Sequence, residues 1–162
     1  MNIYISKISI SEMSQDSDFW NYLFIIIKEK QRSWIIWTIL TKIFWKKKST
    51  WFIIKREEKI IGGFLITDFP IIKYKPFNIF DSEAQKEIEK LRNSGYLNFC
   101  CFIIAAKYQN QGIGSYVFKF FFKKKHPNLK IFFTATKKAV SFYLRQGVKI
   151  SYPGKYTIYT FE

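Results

Sequence analysis

Tyr108-Gln109-Asn110-Gln111-Gly112-Ile113-Gly114-Ser115 directly follows an apolar run at residues 99–106 and opens a second apolar run, which predicts a strand turning into a helix at this point. Such a junction suits an anion. The N–H groups of a helix's first turn point along the positive end of its dipole, and glycines let a phosphate approach the backbone closely. Two nucleotide signatures are excluded: the last glycine of G-x-G-x-x-G is missing, and no G-x-x-x-x-G-K-[ST] occurs in the chain.

Gln109-x-x-Gly112-x-Gly114 instead resembles Q/R-x-x-G-x-G/A, the pyrophosphate-binding signature of the GNAT superfamily of N-acetyltransferases. Downstream, Ala139-Val140-Ser141-Phe142-Tyr143-Leu144-Arg145-Gln146-Gly147-Val148 resembles the second signature of that superfamily, A-x-x-F-Y-x-x-x-G-F. The two motifs stand in the family's order, with one expected strand at residues 130–134 between them. The resemblance implies an α/β (α+β) fold, one GNAT-like domain over residues 1–162. Its sheet would be mixed, mostly antiparallel and twisted, with six to seven strands flanked by about four helices. It also implies acetyl-CoA as donor and an amine as acceptor, the latter a small molecule, a protein or a tRNA.

Composition agrees with one domain, since a chain of 162 residues can bury a sizeable core. Adjacent Cys100 and Cys101 in an apolar strand make neither a disulfide framework nor a metal cluster, and are expected to be buried small hydrophobes. A single histidine, His126, beside a basic cluster, is expected to be exposed and leaves no zinc set. The N-terminus lacks the pattern of a signal peptide, and the apolar groups near residues 20–45 are broken by charges, short of the ~20 residues a bilayer requires. A reduced, cytoplasmic setting without membrane association is the expectation; the oligomeric state is open, a dimer included.

Net charge is +15, and it is unevenly spread: eleven of the 27 Lys and Arg residues lie in residues 96–162 against the single acid Glu162. A phosphate-bearing ligand accounts for part of this, and RNA or another polyanion as partner would account for the rest. A/T-rich codon usage would raise lysine with no partner at all.

Along the chain, a strand is expected at residues 2–10, helices at 18–30 and 33–44, and strands at 50–55 and 59–67 joined by the turn Arg56-Glu57-Glu58. Gly62-Gly63 marks a bulge or a close backbone approach. An extra helix, capped by Asp81-Ser82 and ended by Asn93-Ser94-Gly95, is inserted between the third and fourth strands, as a cover or a substrate lid. Then follow a strand to residue 106, a helix at 112–125, a strand at 130–134, a helix at 137–146, and strands at 148–151 and 156–161.

Acetyl transfer needs a phosphate site, a groove for the pantetheine arm, a donor for the carbonyl oxygen and a route for protons. Backbone amides of Gln109, Asn110, Gln111, Gly112, Ile113, Gly114 and Ser115 suit the pyrophosphate, with the Gln109 and Gln111 side chains as neutral donors. By resemblance, the edge of strand Phe102, Ile103 and Ile104 pairs with pantetheine, and the amide at Ile104 polarises the thioester carbonyl. Family members usually carry an arginine at or near Gln109, a proline at Ala106 and an asparagine at Thr136, whose hydroxyl is still able to bond the pantetheine arm. Tyr143 is the implied general acid for the departing thiolate. Residues 96–161 contain no carboxylate, so the base is water, a backbone carbonyl, or an acid from elsewhere such as Asp68 or Glu12. Trp20, Trp34, Trp37, Phe69, Tyr74 and Phe77 are core or acceptor-pocket candidates. Loss of the loop arginine and of a carboxylate leaves room for an alternative, a GNAT-fold module that senses coenzyme A or binds RNA without turnover.

Overall fold

The computed structural model describes residues 2–8, 49–68, 81–135, 137–154 and 157–162. The two helices expected before residue 45, the six aromatic pocket candidates, Glu12 and Thr136 lie outside these residues.

Seven strands form one sheet: β1 (Ile3–Ile8), β2 (Ser49–Arg56), β3 (Lys59–Thr67), β4 (Leu97–Ile104), β5 (Ile131–Thr134), β6 (Lys149–Tyr152) and β7 (Ile158–Phe161). Their order is β1-β2-β3-β4-β5-β7-β6. β4 and β5 are parallel, pairing Leu97 with Ile131 and Asn98 with Phe132. β1 with β2, β5 with β7 and β6 with β7 are antiparallel. The chain falls into two compact units, and the division cuts β4 between Cys100 and Cys101.

The first unit holds residues 1–66 and 101–114. In it β1 runs alongside β2 from Ile3↔Arg56 to Ile8↔Trp51. The turn after β2 is Glu57-Glu58, with both φ angles positive at 49° and 63°, the backbone a tight two-residue hairpin needs. No glycine or asparagine stands there, so the charges alone marked it in the sequence. β3 is buried without interruption from Ile61 to Thr67, as a strand flanked on both sides must be. Gly62 is the close backbone approach expected of it. A Cβ at this position would fall on the carbonyl oxygen of Ile103 and 3.0 Å from the Ile104 Cα. Gly62→Ala is therefore expected to destabilise the protein by about 1–3 kcal/mol, because backbone has to move to admit one methyl group. Urea unfolding checks it, and an unchanged midpoint would mean that β3 and β4 lie further apart than described.

The second unit holds residues 67–100 and 115–162. Its inserted helix α1 (Ser82–Asn93) begins where the Asp81 side chain accepts from the Ala84 N–H at 2.8 Å. It ends in a glycine-dependent cap: Gly95, at φ 82°, donates to the Arg92 carbonyl, and Tyr96 donates to that of Leu91. Its apolar stripe, Ala84, Ile88 and Leu91, packs on Phe132 of β5 and Ile158 of β7. Polar ties add to this, with Ser151 Oγ donating to Glu87 and Tyr152 Oη to Asp81. The helix is thus seated on strands β5 and β7.

The remaining helices depart from simple α geometry. α2 (Ile113–Tyr116) widens into a π-helix over Val117–Lys125, closed by the His126 N–H on the Phe121 carbonyl at 2.9 Å. Its buried face, Val117, Phe118, Phe121 and Phe122, joins Phe99, Phe133 and Phe161 in a core of mostly edge-to-face rings. α3 (Val140–Arg145) is preceded by a 3-10 turn, Lys137–Ala139. Among the described residues no helix is long and apolar enough to cross a membrane, and no cluster could hold a metal ion.

Three sequence expectations change. Cys100 and Cys101 are half-buried thiols rather than core residues, because Cys101, at φ 55°, breaks the alternation of β4. His126 is half-buried instead of exposed, its ring 4.5 Å from that of Phe121. Burial, then the neighbouring Lys125 charge, hold its pKa below the usual histidine value. The helix expected at residues 112–125 is α only in its first turn.

Candidate functional site

Strand β4 does not run straight into α2. After Ile104 the chain makes a 3-10 turn at Ala106–Tyr108, with Tyr108 N donating to Ala105 O at 2.8 Å and Gln109 N to Ala106 O at 3.1 Å. Ala105 N is itself tied to the Ile61 carbonyl of β3 at 2.9 Å. Asn110 and Gly112 then take left-handed φ angles of 60° and 76°, on either side of Gln111. Alternation of this kind turns successive backbone N–H groups to one concave side. Residues 109–112 are exposed, whereas Ile113 is 1 % exposed and anchors the start of α2. A Cβ built on Gly112 meets nothing within 4 Å, so there is open space beside this glycine.

Both glutamine side chains bond within the loop. Gln109 Nε2 donates to the Ile104 carbonyl at 2.7 Å, and Gln111 Nε2 donates to that of Lys107 at 2.8 Å. Each amide thus has one N–H spent on the loop itself, and the glutamines shape the loop as much as they supply donors. Gln111 also recruits a residue that sequence reasoning passed over: Arg56 Nη1 donates to Gln111 Oε1 at 2.9 Å. Arg56 ends β2, 55 positions earlier in the chain. Nothing but its charge could have flagged it. Backbone amides, a guanidinium and a glycine beside open space, with no carboxylate between residues 96 and 161, are groups whose chemistry suits an anion.

Upstream of the loop, Ile103 is 6 % exposed, while Phe102 and Ile104 are half-buried. Phe102 packs edge-on against Phe64 at 6.2 Å. The left-handed Cys101 immediately precedes these three residues.

In the second unit, Tyr143 sits on α3 at 8 % exposure, with the rings of Phe133, Phe142 and Phe118 at 4.7, 5.0 and 5.7 Å. Burial among rings pushes its phenol pKa well above the usual tyrosine range, so the hydroxyl keeps its proton throughout the physiological range. The tyrosine-to-glycine spacing has a structural reason. Gly147, at φ 88°, donates to the Leu144 carbonyl and Val148 N donates to that of Tyr143, so the glycine ends the helix one turn after the tyrosine. Gln146, buried, ties α3 to the start of α2 through Nε2 to Ser115 Oγ at 3.1 Å. Asp68 is half-buried after β3, and its carbonyl accepts from Arg92 Nε at 3.0 Å. That bond joins it to α1, whereas Tyr143 stands on α3.

No protein-family model matches the sequence, and no curated protein matches it. Solved structures do. An acyl-CoA N-acyltransferase from Pseudomonas aeruginosa superposes with a TM-score of 0.64 at 8 % identity, over 99 % of this chain and 100 % of that one. The N-acetyltransferase PseH of Campylobacter jejuni, in complex with acetyl coenzyme A, gives 0.56 at 13 % identity over 98 % and 99 %. FeeM, an N-acyl amino acid synthase from uncultured soil microbes, gives 0.64 at 11 % identity over 98 % and 90 %.

The chain has the GNAT fold.

Identities this low carry the fold alone, and what the chain does has to be argued from its own residues. Within the GNAT fold, the loop at residues 109–114 follows β4 and opens α2, and Tyr143 lies on the helix before β6.

Proposed function

We propose that this protein is an acetyl-CoA-dependent N-acetyltransferase, a single domain over residues 1–162 acting on a primary amine. The observation that carries the reading is the loop: left-handed Asn110 and Gly112 beside the Arg56 guanidinium, with open space at Gly112, on a chain of GNAT fold. Those residues fit the pyrophosphate of coenzyme A, and Gln109 to Ser115 would hold it. Phe102, Ile103 and Ile104 would offer backbone groups to the pantetheine arm, the Ile104 amide would polarise the thioester carbonyl, and Thr136 would bond the arm. The acyl thioester supplies the activated carbonyl. Attack by the amine nitrogen forms the C–N bond as the C–S bond breaks; Tyr143 Oη gives its proton to the departing sulfur, and Asp68 or water takes the proton of the amine.

A second reading, a GNAT-fold module that senses coenzyme A or binds RNA without turnover, is favoured by two observations. The loop itself contains no Lys or Arg, and residues 96–161 offer no base. A polyanionic acceptor or RNA partner would meet the exposed Lys119, Lys123, Lys124 and Lys125 of the second unit.

Binding is tested by thermal unfolding. At acetyl-CoA a hundredfold above its dissociation constant, linkage adds about 2.7 kcal/mol, a rise in Tm of about 5–10 °C for a chain of this size. No shift at millimolar acetyl-CoA would remove the transferase and the coenzyme A sensor, leaving only an RNA-binding module. With binding present, release of thiol in the presence of amines, peptides or aminoacyl-tRNA separates the transferase from the sensor.

A further inference from the structure

Residues 109–115 include no cation, so amides alone would face the charge of a bound pyrophosphate. We infer that Arg56, delivered from the end of β2, is the cationic phosphate ligand of this loop and binds the pyrophosphate of coenzyme A alongside the backbone amides. The inference rests on the coenzyme A reading above.

Three observations within the first unit carry it. Arg56 Nη1 is held by Gln111 Oε1 at 2.9 Å, and Gln111 is itself held through Nε2 by the Lys107 carbonyl at 2.8 Å, so the guanidinium is fixed at the loop. Its partner is a neutral amide: among the described residues no carboxylate pairs with Arg56, although Glu57 and Glu58 follow it directly. A guanidinium has five N–H groups in a planar fork and Gln111 takes one, which leaves donors for two oxygens of one phosphate. The nearest other cation on this stretch, Lys107, has its Nζ 4.9 Å above the Tyr108 ring.

Gln111 therefore acts as a positioning residue and Arg56 as a binding residue, an arrangement that moves the positive charge out of the glycine motif and onto the β2–β3 hairpin. The hairpin turn gains a binding role from this. Its left-handed Glu57 and Glu58 set where β2 stops, and β2 stops at Arg56.

Isothermal titration with coenzyme A and with 3′-dephospho-coenzyme A, which keeps the pyrophosphate, tests the assignment on the full chain. Arg56→Gln is expected to weaken both ligands alike, by about tenfold or more, the worth of a charge-assisted hydrogen bond, with the melting point of the ligand-free protein unchanged. Arg56→Lys, which keeps the charge and loses the fork, should fall between. Equal affinity of wild type and Arg56→Gln overturns the inference and leaves the coenzyme reading standing. A loss for coenzyme A alone would assign Arg56 to the 3′-phosphate and overturn the pyrophosphate contact. Failure of the wild type to bind either ligand refutes the coenzyme reading, a result distinct from both.

Discussion

Tyr143→Phe is expected to lower kcat by about 10²–10⁴-fold, the usual worth of a positioned general acid, while leaving the affinity for acetyl-CoA within about twofold. The ring stays in its aromatic setting of Phe118, Phe133 and Phe142, so only the hydroxyl is lost and the melting point should hardly move. Because burial raises the phenol pKa, the protonated form is the donor, and the wild-type rate should show no loss from tyrosine ionisation up to about pH 10. The checks are steady-state kinetics with a thiol reagent and titration of acetyl-CoA. Unchanged turnover would refute the acid role, and loss of binding would show Tyr143 to be a structural residue.

Phe118→Ala is expected to have the largest effect on stability, about 3–5 kcal/mol. Phe118 is fully buried on the widened part of α2, with Phe99 and Phe142 at 5.9 Å, Phe161 at 5.3 Å and Tyr143 at 5.7 Å. Removing its ring leaves a cavity that neighbours on two strands and a helix cannot fill together, since backbone holds them apart. Denaturant unfolding measures the loss, and a change below about 1 kcal/mol would contradict the packing. The same residue supports Tyr143, so a variant stable enough to assay should also turn over more slowly.

Much of the fold could be read from local signals. The sequence places a strand at residues 59–67, and β3 spans Lys59–Thr67. It places the start of a helix at Asp81-Ser82 and its end at Gly95, and α1 has that cap and that left-handed glycine. It reads Gly62-Gly63 as a bulge or close approach, and Gly62 lies against Ile103. Each is a short-range requirement of the backbone, met by a residue type that few others can replace. Gly112 and Gly147, the glycines of the two motifs, both take a positive φ, one in the loop and the other ending the helix that carries Tyr143.

What escaped the sequence was side-chain partnership at a distance. Gln109 and Gln111 read as ligand donors, yet each turns an N–H onto its own loop; the two cysteines read as core, yet a left-handed Cys101 leaves both half-buried. Ser115 reads as a loop residue, and Gln146, 31 positions on, bonds to it.

Among the described residues the sequence by itself determined the order of strands and helices, the turns and caps, and a glycine loop whose chemistry suits an anion, because dihedral preferences and hydrophobic periodicity act over a few neighbouring residues. Only the tertiary structure decided that Arg56 bonds to this loop. The end of β2 and the loop after β4 meet through sheet pairing and packing across 55 residues, and no local pattern in either segment encodes the other.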